Sequence, residues 1–272
     1  MPDIFNLLEV GYSYMPNNNA LTDINLAIHE GEILSIIGAN GSGKSTLLNL
    51  LCGLIHPTHG SLYYRGDIIT EEALKNAAFN KKFRSSIGFI FQNSDAQLFC
   101  PTVMDELLFG SFQLGYPKDS ALSRANDVAD MLNISELKDR PTYMLSGGEK
   151  KRVAIGAVLT TNPDILIFDE PVSGLDPKTR SFIIELIFQL NQAGKTIIIS
   201  THHLELVDHF RSRVAILSEN HTIEKTGTCD EILSDTDLLI RTNLIGEYPH
   251  KHIDNTVHKH LFSDFLFHQH RH

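Results

Sequence analysis

The residues best suited to chemistry form a glycine-rich segment near the N-terminus. Gly38-Ala-Asn-Gly-Ser-Gly-Lys-Ser-Thr46 fits the pattern G-x-x-x-x-G-K-[S/T]. The apolar residues 33–37 before it have the character of a buried strand, and residues 46–54 have the pattern of a helix. A tight glycine turn between strand and helix directs backbone N–H groups and the positive end of the helix dipole toward one point. The segment therefore predicts a binding site for a nucleoside triphosphate.

Two side chains of this segment have the chemistry that phosphates require. Lys44 supplies a positive charge for the terminal phosphates, and the Ser45 hydroxyl is a ligand for Mg²⁺. The alternative, a glycine-rich turn that binds nothing, is disfavoured because both flanking elements are present. The predicted nucleotide-binding residues are Gly38, Asn40, Gly41, Ser42, Gly43, Lys44, Ser45 and Thr46.

A second chemical feature is a pair of acids at the end of an apolar strand, Ile165-Leu-Ile-Phe-Asp-Glu170. Because strand ends in a parallel sheet open onto the ligand crevice, we expect both acids beside the phosphates. Asp169 would hold Mg²⁺ or its water, and Glu170 would polarise the attacking water. The alternative is an acid pair that merely ends a strand, and the phosphate-binding segment upstream disfavours it.

A third feature is Leu145-Ser-Gly-Gly-Glu149, which precedes a basic run at residues 150–152. Ser146 predicts a helix N-cap, with Glu149 as its capping-box partner. Two glycines inside a helix cost about 1 kcal/mol each relative to alanine, so they need a further reason. Bare N–H groups at a helix start would supply one, because they bind anions. We therefore expect nucleotide contacts at Ser146, Gly147, Gly148 and Glu149.

The elements that must position these residues alternate between strands and helices. The alternation of strands and helices is typical of an α/β domain with a largely parallel sheet. Among the helices, the one at 102–134 has a start predicted by Thr102 and Asp105. Strands are predicted at residues 4–10, 21–28, 87–91, 165–168, 196–200 and 214–217, and helices at 102–134, 146–161 and 177–192. Further along, 221–226 predicts one more strand and 229–241 predicts short helices.

The three motifs, in this order and spacing, resemble the nucleotide-binding domain of ABC-type ATPases over roughly residues 4–217. The resemblance implies a phosphate-loop NTPase fold with a mainly parallel core sheet and an antiparallel β subdomain. It also implies a helical signature subdomain at about 95–160. The predicted domains are an ATPase domain at 1–218, a small C-terminal extension at 219–247 and a histidine-rich tail at 248–272.

Further positions match the family one by one, and the family's roles are implied for them. Gln92 corresponds to the glutamine loop, which touches Mg²⁺ and the transport subunit. Asp176 ends a segment that resembles the D-loop, and it also predicts an N-cap before Pro177. We expect catalytic contributions from Glu170, His202, Gln92 and Asp176, and Mg²⁺ contacts from Ser45, Gln92 and Asp169.

Two of these assignments leave a choice between neighbours. His202 corresponds to the switch histidine that senses the γ-phosphate, but His203 stands where the family usually has aspartate. We choose His202 by its distance from the preceding strand. Tyr14 resembles the aromatic residue that stacks on adenine, Tyr12 is the weaker candidate, and a lone tyrosine that only packs in the core is the alternative.

The family also implies a partner. Two ATPase domains meet head to tail, with each ATP between the phosphate loop of one and the Leu-Ser-Gly-Gly-Glu motif of the other. A second helix start would cover the solvent-facing side of the γ-phosphate and exclude water. The sequence leaves open whether the pair is a homodimer or contains a related chain.

The segment after Gln92 indicates one branch of the ABC-type ATPases. Residues 97–103, Gln-Leu-Phe-Cys-Pro-Thr-Val, resemble the ATPases of energy-coupling-factor importers, particularly the cobalt and nickel branch; Ser94 departs from the usual proline. The resemblance implies an ATP-hydrolysing subunit that powers a membrane importer, with integral membrane transport subunits as partners. The alternatives are a vitamin importer, an exporter, a soluble ABC ATPase acting on nucleic acid or ribosomes, and an ATP-gated scaffold.

Composition and charge fit that interpretation. Lys and Arg number 23 against 33 Asp and Glu, a net charge of −10, and there is no dense basic run, so we expect no nucleic-acid partner. Three cysteines without C-x-x-C spacing suit a reducing cytosol. No apolar stretch is long enough to cross a membrane, and the first residues do not resemble a signal peptide. We expect a soluble chain held peripherally at the cytoplasmic face of the cell membrane.

The C-terminal tail carries half of the 14 histidines: His250, His252, His258, His260, His268, His270 and His272. In an extended chain, an H-x-H pair places both imidazoles on one side. Neutral imidazole suits Ni²⁺ and Co²⁺. The tail therefore predicts metal binding, and the alternatives are a solvated polar tail, an accident of composition or a purification-tag remnant.

Overall fold

The structure is a computed structural model that describes residues 2–16, 18–251 and 257–262, with side chains through residue 246. The strands are β1 (Asp3–Met15), β2 (Asn18–His29), β3 (Ile33–Ile37), β4 (His59–Tyr64), β5 (Asp67–Ile68), β6 (Ile87–Ile90), β7 (Ile165–Asp169), β8 (Thr196–Thr201), β9 (Arg213–Leu217), β10 (Ile223–Gly227), β11 (Gly246–Lys251) and β12 (Val257–Phe262). The α-helices are α1 (Lys44–Leu51), α2 (Glu71–Lys75), α3 (Ala77–Ser86), α4 (Val103–Gln113), α5 (Lys118–Met131), α6 (Gly147–Leu159), α7 (Pro177–Gln192), α8 (Leu204–Phe210), α9 (Cys229–Leu233) and α10 (Thr236–Arg241). None of the helices in the described ranges combines the length and the apolar character needed to cross a bilayer.

Packing divides the chain into two compact units, Ile69–Ile199 and Pro2–Ile68 with Ser200–His272. In the second unit, β2, β1, β4 and β5 form an antiparallel sheet in that order. The same unit pairs β3 with β9 in parallel, with Ile37 opposite Ile216, and β10 adds to β9 in the antiparallel sense. All five residues of β3 are buried, as expected for a parallel strand covered on both faces.

The first unit combines parallel strands with the signature helices. β6 and β7 pair in parallel, with Ile87 opposite Ile165 and Ile90 opposite Phe168, and β8 is the other neighbour of β7. α4 and α5 pack against α6, and Leu107 of α4 touches α6 at Gly156. These three helices fill the range where a helical subdomain is predicted.

The α/β class is confirmed, and most predicted elements appear with small changes at their ends. The helix predicted at 102–134 is two helices, because Gly115 adopts a φ of 81° and Pro117 stands before α5. α1 ends at Leu51 rather than at residue 54, with Gly53 at a φ of 60° after it. The predicted boundaries at residues 218 and 247 stay predictions.

Candidate functional site

The phosphate loop connects β3 to α1 in the second unit. Gly43, the residue before α1, has a φ of 109°, and a Cβ there would collide with the carbonyl oxygen of Ala20. Only glycine fits that position. No side chain caps the start of α1 and no acid occupies its first turn, among the residues that the structure describes. The helix start therefore directs its N–H groups and the positive end of its dipole toward an anion.

Lys44 is buried and lies over the loop. Its Nζ donates hydrogen bonds to the carbonyl oxygens of Gly38 and Ala39, at 2.8 and 3.1 Å. The Ser42 hydroxyl is buried and, within the described part of the chain, has no hydrogen-bond partner. Ser45 is exposed. An ammonium group, an accessible hydroxyl and the N–H groups of a helix start fit a triphosphate with a hard cation, which prefers oxygen ligands.

Tyr14 lies beside the start of α1. Its side chain is 56% exposed, and its hydroxyl oxygen is 3.2 Å from Oγ1 of Thr46. The ring of Tyr12 meets it edge to face, with centroids 4.9 Å apart. Tyr14 therefore presents an accessible aromatic face next to the phosphate loop, and the alternative of a core tyrosine does not describe it.

The acid pair ends β7 in the first unit. Asp169 and Glu170 are 8% and 6% exposed. Because Ile90 pairs with Phe168 in parallel, Gln92 leaves the sheet at the same edge as these acids. Glu170 has a φ of 44°, in the left-handed region that β-carbon-bearing residues avoid. Such strain is typical of functional sites and persists where the surroundings hold it.

Lys151 on α6 is a candidate functional residue that the sequence analysis missed. Its side chain is 3% exposed, and Nζ donates to the carbonyl oxygens of Phe91 and Gln92 at 2.9 and 3.5 Å. Burial lowers its pKa from 10.5 to about 8, against the opposing attraction of Asp169 and Glu170. The ammonium thus connects the signature helix to the start of the glutamine loop. Lys151 lies three and four residues before the buried Ala154 and Ile155, so helical periodicity places it on the buried face of α6, and this could have been seen in the sequence.

The signature motif begins α6 with the predicted capping box. The backbone N–H and the hydroxyl of Ser146 both donate to Oε2 of Glu149 at 2.7 Å, and the Glu149 N–H donates back to Oγ of Ser146. These hydrogen bonds lower the pKa of Glu149. Gly148 packs against Thr179, whereas no described atom lies within 4 Å of the place of a Cβ on Gly147.

A cavity of about 380 Å³ joins this motif to the predicted D-loop. Asp176 caps α7 by accepting from the N–H groups of Lys178 and Thr179 at 3.0 Å, and the Thr179 hydroxyl donates to it at 2.6 Å. Hydrogen bonds from Thr179 lower the pKa of Asp176. Ser146 and Glu149 line the same cavity, so the structure brings the two motifs together.

The two histidines after β8 have different surroundings in the second unit. His202 is exposed, and its ring centroid is 4.2 Å from that of His203. His203 is half-buried and its Nδ1 lies 3.5 Å from Oε1 of Glu205, on the helix that His203 precedes. His202 is therefore the more accessible of the two.

The segment after Gln92 is held by hydrogen bonds to a half-buried and a buried polar side chain, Gln97 and Glu106. The Phe91 N–H donates to Oε1 of Gln97, whose Nε2 donates to the Ala154 carbonyl on α6. Glu106, buried on α4, accepts from the N–H groups of Phe99 and Cys100 at 3.0 and 2.7 Å. The segment is thus an ordered part of the helical region.

Aromatic side chains cluster around this segment. Phe99 is 66% exposed, and its ring meets that of Phe109 edge to face at 4.8 Å. Phe112 lies one turn further along α4 and is also exposed. We call Phe99, Phe109 and Phe112 the aromatic surface.

The predicted metal-binding tail is largely outside the described structure. His252, His268, His270 and His272 lie outside the described residues. His250 belongs to β11 and His258 and His260 to β12, where the backbone pairs His250 with His258 but the side chains are outside the description.

Comparison with known proteins identifies the family. Residues 21–173 match the family model described as ABC transporter. A putative ABC transporter ATP-binding protein from Methanosarcina acetivorans is 47% identical over 255 residues, which cover 93% of this chain and 92% of that protein. The energy-coupling factor transporter ATP-binding protein EcfA from Methanosphaera stadtmanae is 37% identical, covering 90% of this chain and 86% of that one.

A solved structure extends the comparison to the fold. It is cbiO1 from Clostridium perfringens, described as part of the ABC transporter complex cbiONQ, with a TM-score of 0.76 and 35% identity over 90% of this chain and 96% of that one. Both the phosphate loop and the acid pair fall inside the range that matches the family model. The chain belongs to the ABC transporter family, and it is an ATP-binding subunit with the phosphate-loop NTPase fold and ATPase activity.

Proposed function

We propose that this chain hydrolyses ATP to power a membrane importer of cobalt or nickel ions, by closing head to tail with a second ATPase domain. The observation that carries the proposal is the start of α6, where Ser146 and Gly147 are exposed and Gly147 has open space around it. A glycine whose Cβ position has no described atom within 4 Å has no packing role in the part of the chain that the structure describes. A helix start with exposed glycine N–H groups can instead bind the γ-phosphate of a nucleotide held by another copy.

Nucleotide binding is assigned to the second unit. The phosphate loop would bind the β- and γ-phosphates through its N–H groups and Lys44, and Tyr14 would stack on adenine. Mg²⁺, when bound, would neutralise part of the phosphate charge. Ser45, Asp169 and Gln92 have the oxygen atoms to hold it or its waters.

Hydrolysis is assigned to Glu170. A buried carboxylate at the end of β7 can accept a proton from an attacking water, and its strained backbone fixes its direction. His202, the more accessible histidine, would contact the γ-phosphate. Gln92 and Asp176 would complete the site from the glutamine loop and the D-loop.

The test compares two substitutions that affect different steps. Glu170→Gln should bind ATP and dimerise but turn over at least ~100-fold more slowly, because it loses the proton acceptor. Lys44→Ala should weaken ATP binding itself, since it removes the ammonium of the loop. Near-normal turnover by Glu170→Gln, or a Glu170→Gln chain that stays monomeric in saturating Mg-ATP, would contradict the proposal.

The partner in the membrane is proposed to dock on the aromatic surface. Family members dimerise and work with membrane subunits, and an exposed aromatic cluster beside the glutamine loop is suited to protein contact. Phe99→Ala combined with Phe109→Ala should reduce capture of a multi-spanning membrane protein from detergent-solubilised membranes. Phe188→Ala, which removes an exposed phenylalanine on α7, is the control and should leave capture unchanged.

Cobalt or nickel as cargo is supported by residues 97–103, and the likeness to cbiO1, part of the ABC transporter complex cbiONQ, supports work in a transporter complex. The likeness to EcfA supports an energy-coupling factor transporter, and a vitamin importer of that type is the alternative. Transport of ⁵⁷Co²⁺ or ⁶³Ni²⁺ in vesicles that contain the full complex distinguishes the two. Uptake of neither ion would remove the metal assignment and leave the ATPase role intact.

The tail is proposed to bind Ni²⁺ or Co²⁺. Calorimetry with either ion should show binding to the full chain and its loss when the chain is cut near Glu247. Equal binding by both forms would remove this role. We place the protein at the cytoplasmic face of the cell membrane, held by its membrane subunits, with no nucleic-acid partner.

A further inference from the structure

His221 lies in the connection between β9 and β10, within the same unit as the phosphate loop. Its φ of 62° is in the left-handed region, where a residue with a Cβ is strained. Its N–H donates to the Ser218 carbonyl at 2.9 Å, and its own carbonyl accepts from Thr22 at 2.8 Å. The connection is therefore held by one hydrogen bond within itself and by another to β2.

The imidazole of His221 reaches the phosphate loop. Its Nδ1 lies 3.0 Å from the carbonyl oxygen of Ser42. Because a carbonyl oxygen only accepts, Nδ1 must carry the hydrogen. The accepting carbonyl belongs to the same peptide as the N–H of Gly43, the residue that precedes α1.

A hydrogen bond to a carbonyl has two effects on its peptide. It fixes the plane of the peptide, and it polarises the N–H on the other side so that this N–H becomes a stronger donor. The Ser42–Gly43 peptide has few alternatives, because Gly43 lies tightly against the carbonyl oxygen of Ala20 on β2. His221 and β2 therefore hold this peptide from two directions.

We propose that His221 is a positioning residue for ATP binding, which holds the Ser42–Gly43 peptide so that the Gly43 N–H points at the nucleotide's phosphates. This inference rests on the proposed nucleotide-binding role of the loop. His221 acts through Ser42 and does not touch the nucleotide. Glycine at position 221 would relieve the backbone strain, but it has no side-chain N–H to donate to the Ser42 carbonyl. The inference therefore explains why a strained histidine stands at this position.

The experiment uses the full chain and three substitutions. His221→Gly relieves the left-handed strain and removes the donor, so we expect an equal or higher thermal midpoint together with a KM for ATP raised about three- to tenfold, the effect of one hydrogen bond. We expect kcat within twofold of the wild type, because Glu170 is unaffected. His221→Asn keeps a donor and tolerates this φ, so it should restore part of the affinity.

Asn243→Gly is the matched control, because Asn243 is also left-handed, with a φ of 56°, in the same unit. It should shift the thermal midpoint without changing KM. An unchanged KM in His221→Gly would overturn the inference, as would a raised KM that comes with a lower midpoint and no recovery in His221→Asn. Wild-type protein that binds no ATP would overturn the proposed function and the inference together, so the two failures are distinguishable.

Discussion

The substitution Gly147→Ala should change the stability of the chain and the affinity of its dimer in opposite directions. The new Cβ would stand where no described atom lies within 4 Å, so nothing in the chain resists it. Alanine in a helix is about 0.5–1 kcal/mol more stable than glycine. For a chain of this size we therefore expect a rise in the thermal midpoint of about 1–4 °C.

The same methyl group should weaken dimerisation. If the Gly147 N–H of one copy approaches the nucleotide of the other, the added carbon overpacks that contact at about 1–3 kcal/mol. A symmetric dimer contains the contact twice, so the loss is about 2–6 kcal/mol, or roughly 30-fold to 10⁴-fold in affinity. Sedimentation velocity with Mg-ATP, in a Glu170→Gln background that prevents hydrolysis, measures it directly.

Gly148→Ala is the internal control. Its Cβ would lie 2.9 Å from Oγ1 of Thr179, which already donates to Asp176, so the chain itself should lose stability. The two neighbouring glycines should thus shift the thermal midpoint in opposite directions. Undiminished ATP-dependent dimerisation by Gly147→Ala would refute the head-to-tail arrangement.

Three further predictions follow from side-chain environments. The lowered pKa of Lys151, about 8 against 10.5, means that the unfolded chain binds this proton more tightly, so stability should rise as pH increases from 8 to 10.5. Denaturant titrations at pH 7.5 and 10 should show a gain in the free energy of unfolding of about 2 kcal/mol relative to Lys151→Met, and a constant difference would contradict it. Burial, reinforced by Glu106, raises the pKa of Cys100 to about 11, so at pH 8 iodoacetamide should alkylate it about 100-fold more slowly than an ordinary thiol. Glu106→Gln should accelerate the reaction, as followed by mass spectrometry of the Cys100 peptide, and an unchanged rate would exclude Glu106 as a cause. Asp176→Ala should lower the thermal midpoint because it removes the helix cap, while Asp176→Asn should lower it far less, so an ATPase defect in Asp176→Asn would report a role beyond capping.

The elements with strong local signals were predictable from the sequence. α7 matches its predicted range end to end, because Asp176 caps it and Pro177 is its first residue. The capping box of α6 and the side-chain cap of α4 by Thr102 also appear as predicted. These features depend on residues three or four positions apart, which a single sequence displays.

The elements that were missed depend on distant partners. β4 is stabilised by pairing with β1, with Tyr64 opposite Phe5, and its six residues carry little pattern of their own. The same holds for the short elements β5, α2, α3 and α8. Propensity and periodicity describe neighbours in the chain, whereas these segments are fixed by packing.

The site residues divide in the same way into those predicted from local sequence and those fixed by distant contacts. The motifs and their capping geometry were readable, but Lys151 contacts Phe91 across 60 residues and His221 contacts Ser42 across 179. The strain at Glu170 was equally invisible, since glutamate gives no sign of a left-handed φ. Such contacts follow from the fold and not from any local pattern.

The residues after β9 bear on how the protein can be shortened for crystallisation or reconstitution. Ile232, Leu238 and Ile245 are buried in one cluster with Ile37 of β3 and Ile216 of β9. A version that ends near residue 218 would leave β3, the strand before the phosphate loop, uncovered where these residues pack. The exposed apolar surface would promote aggregation. Shortened versions should therefore keep every residue through Ile245, and a loss of ATPase activity in still shorter ones would report damage to the fold and not a missing regulatory segment.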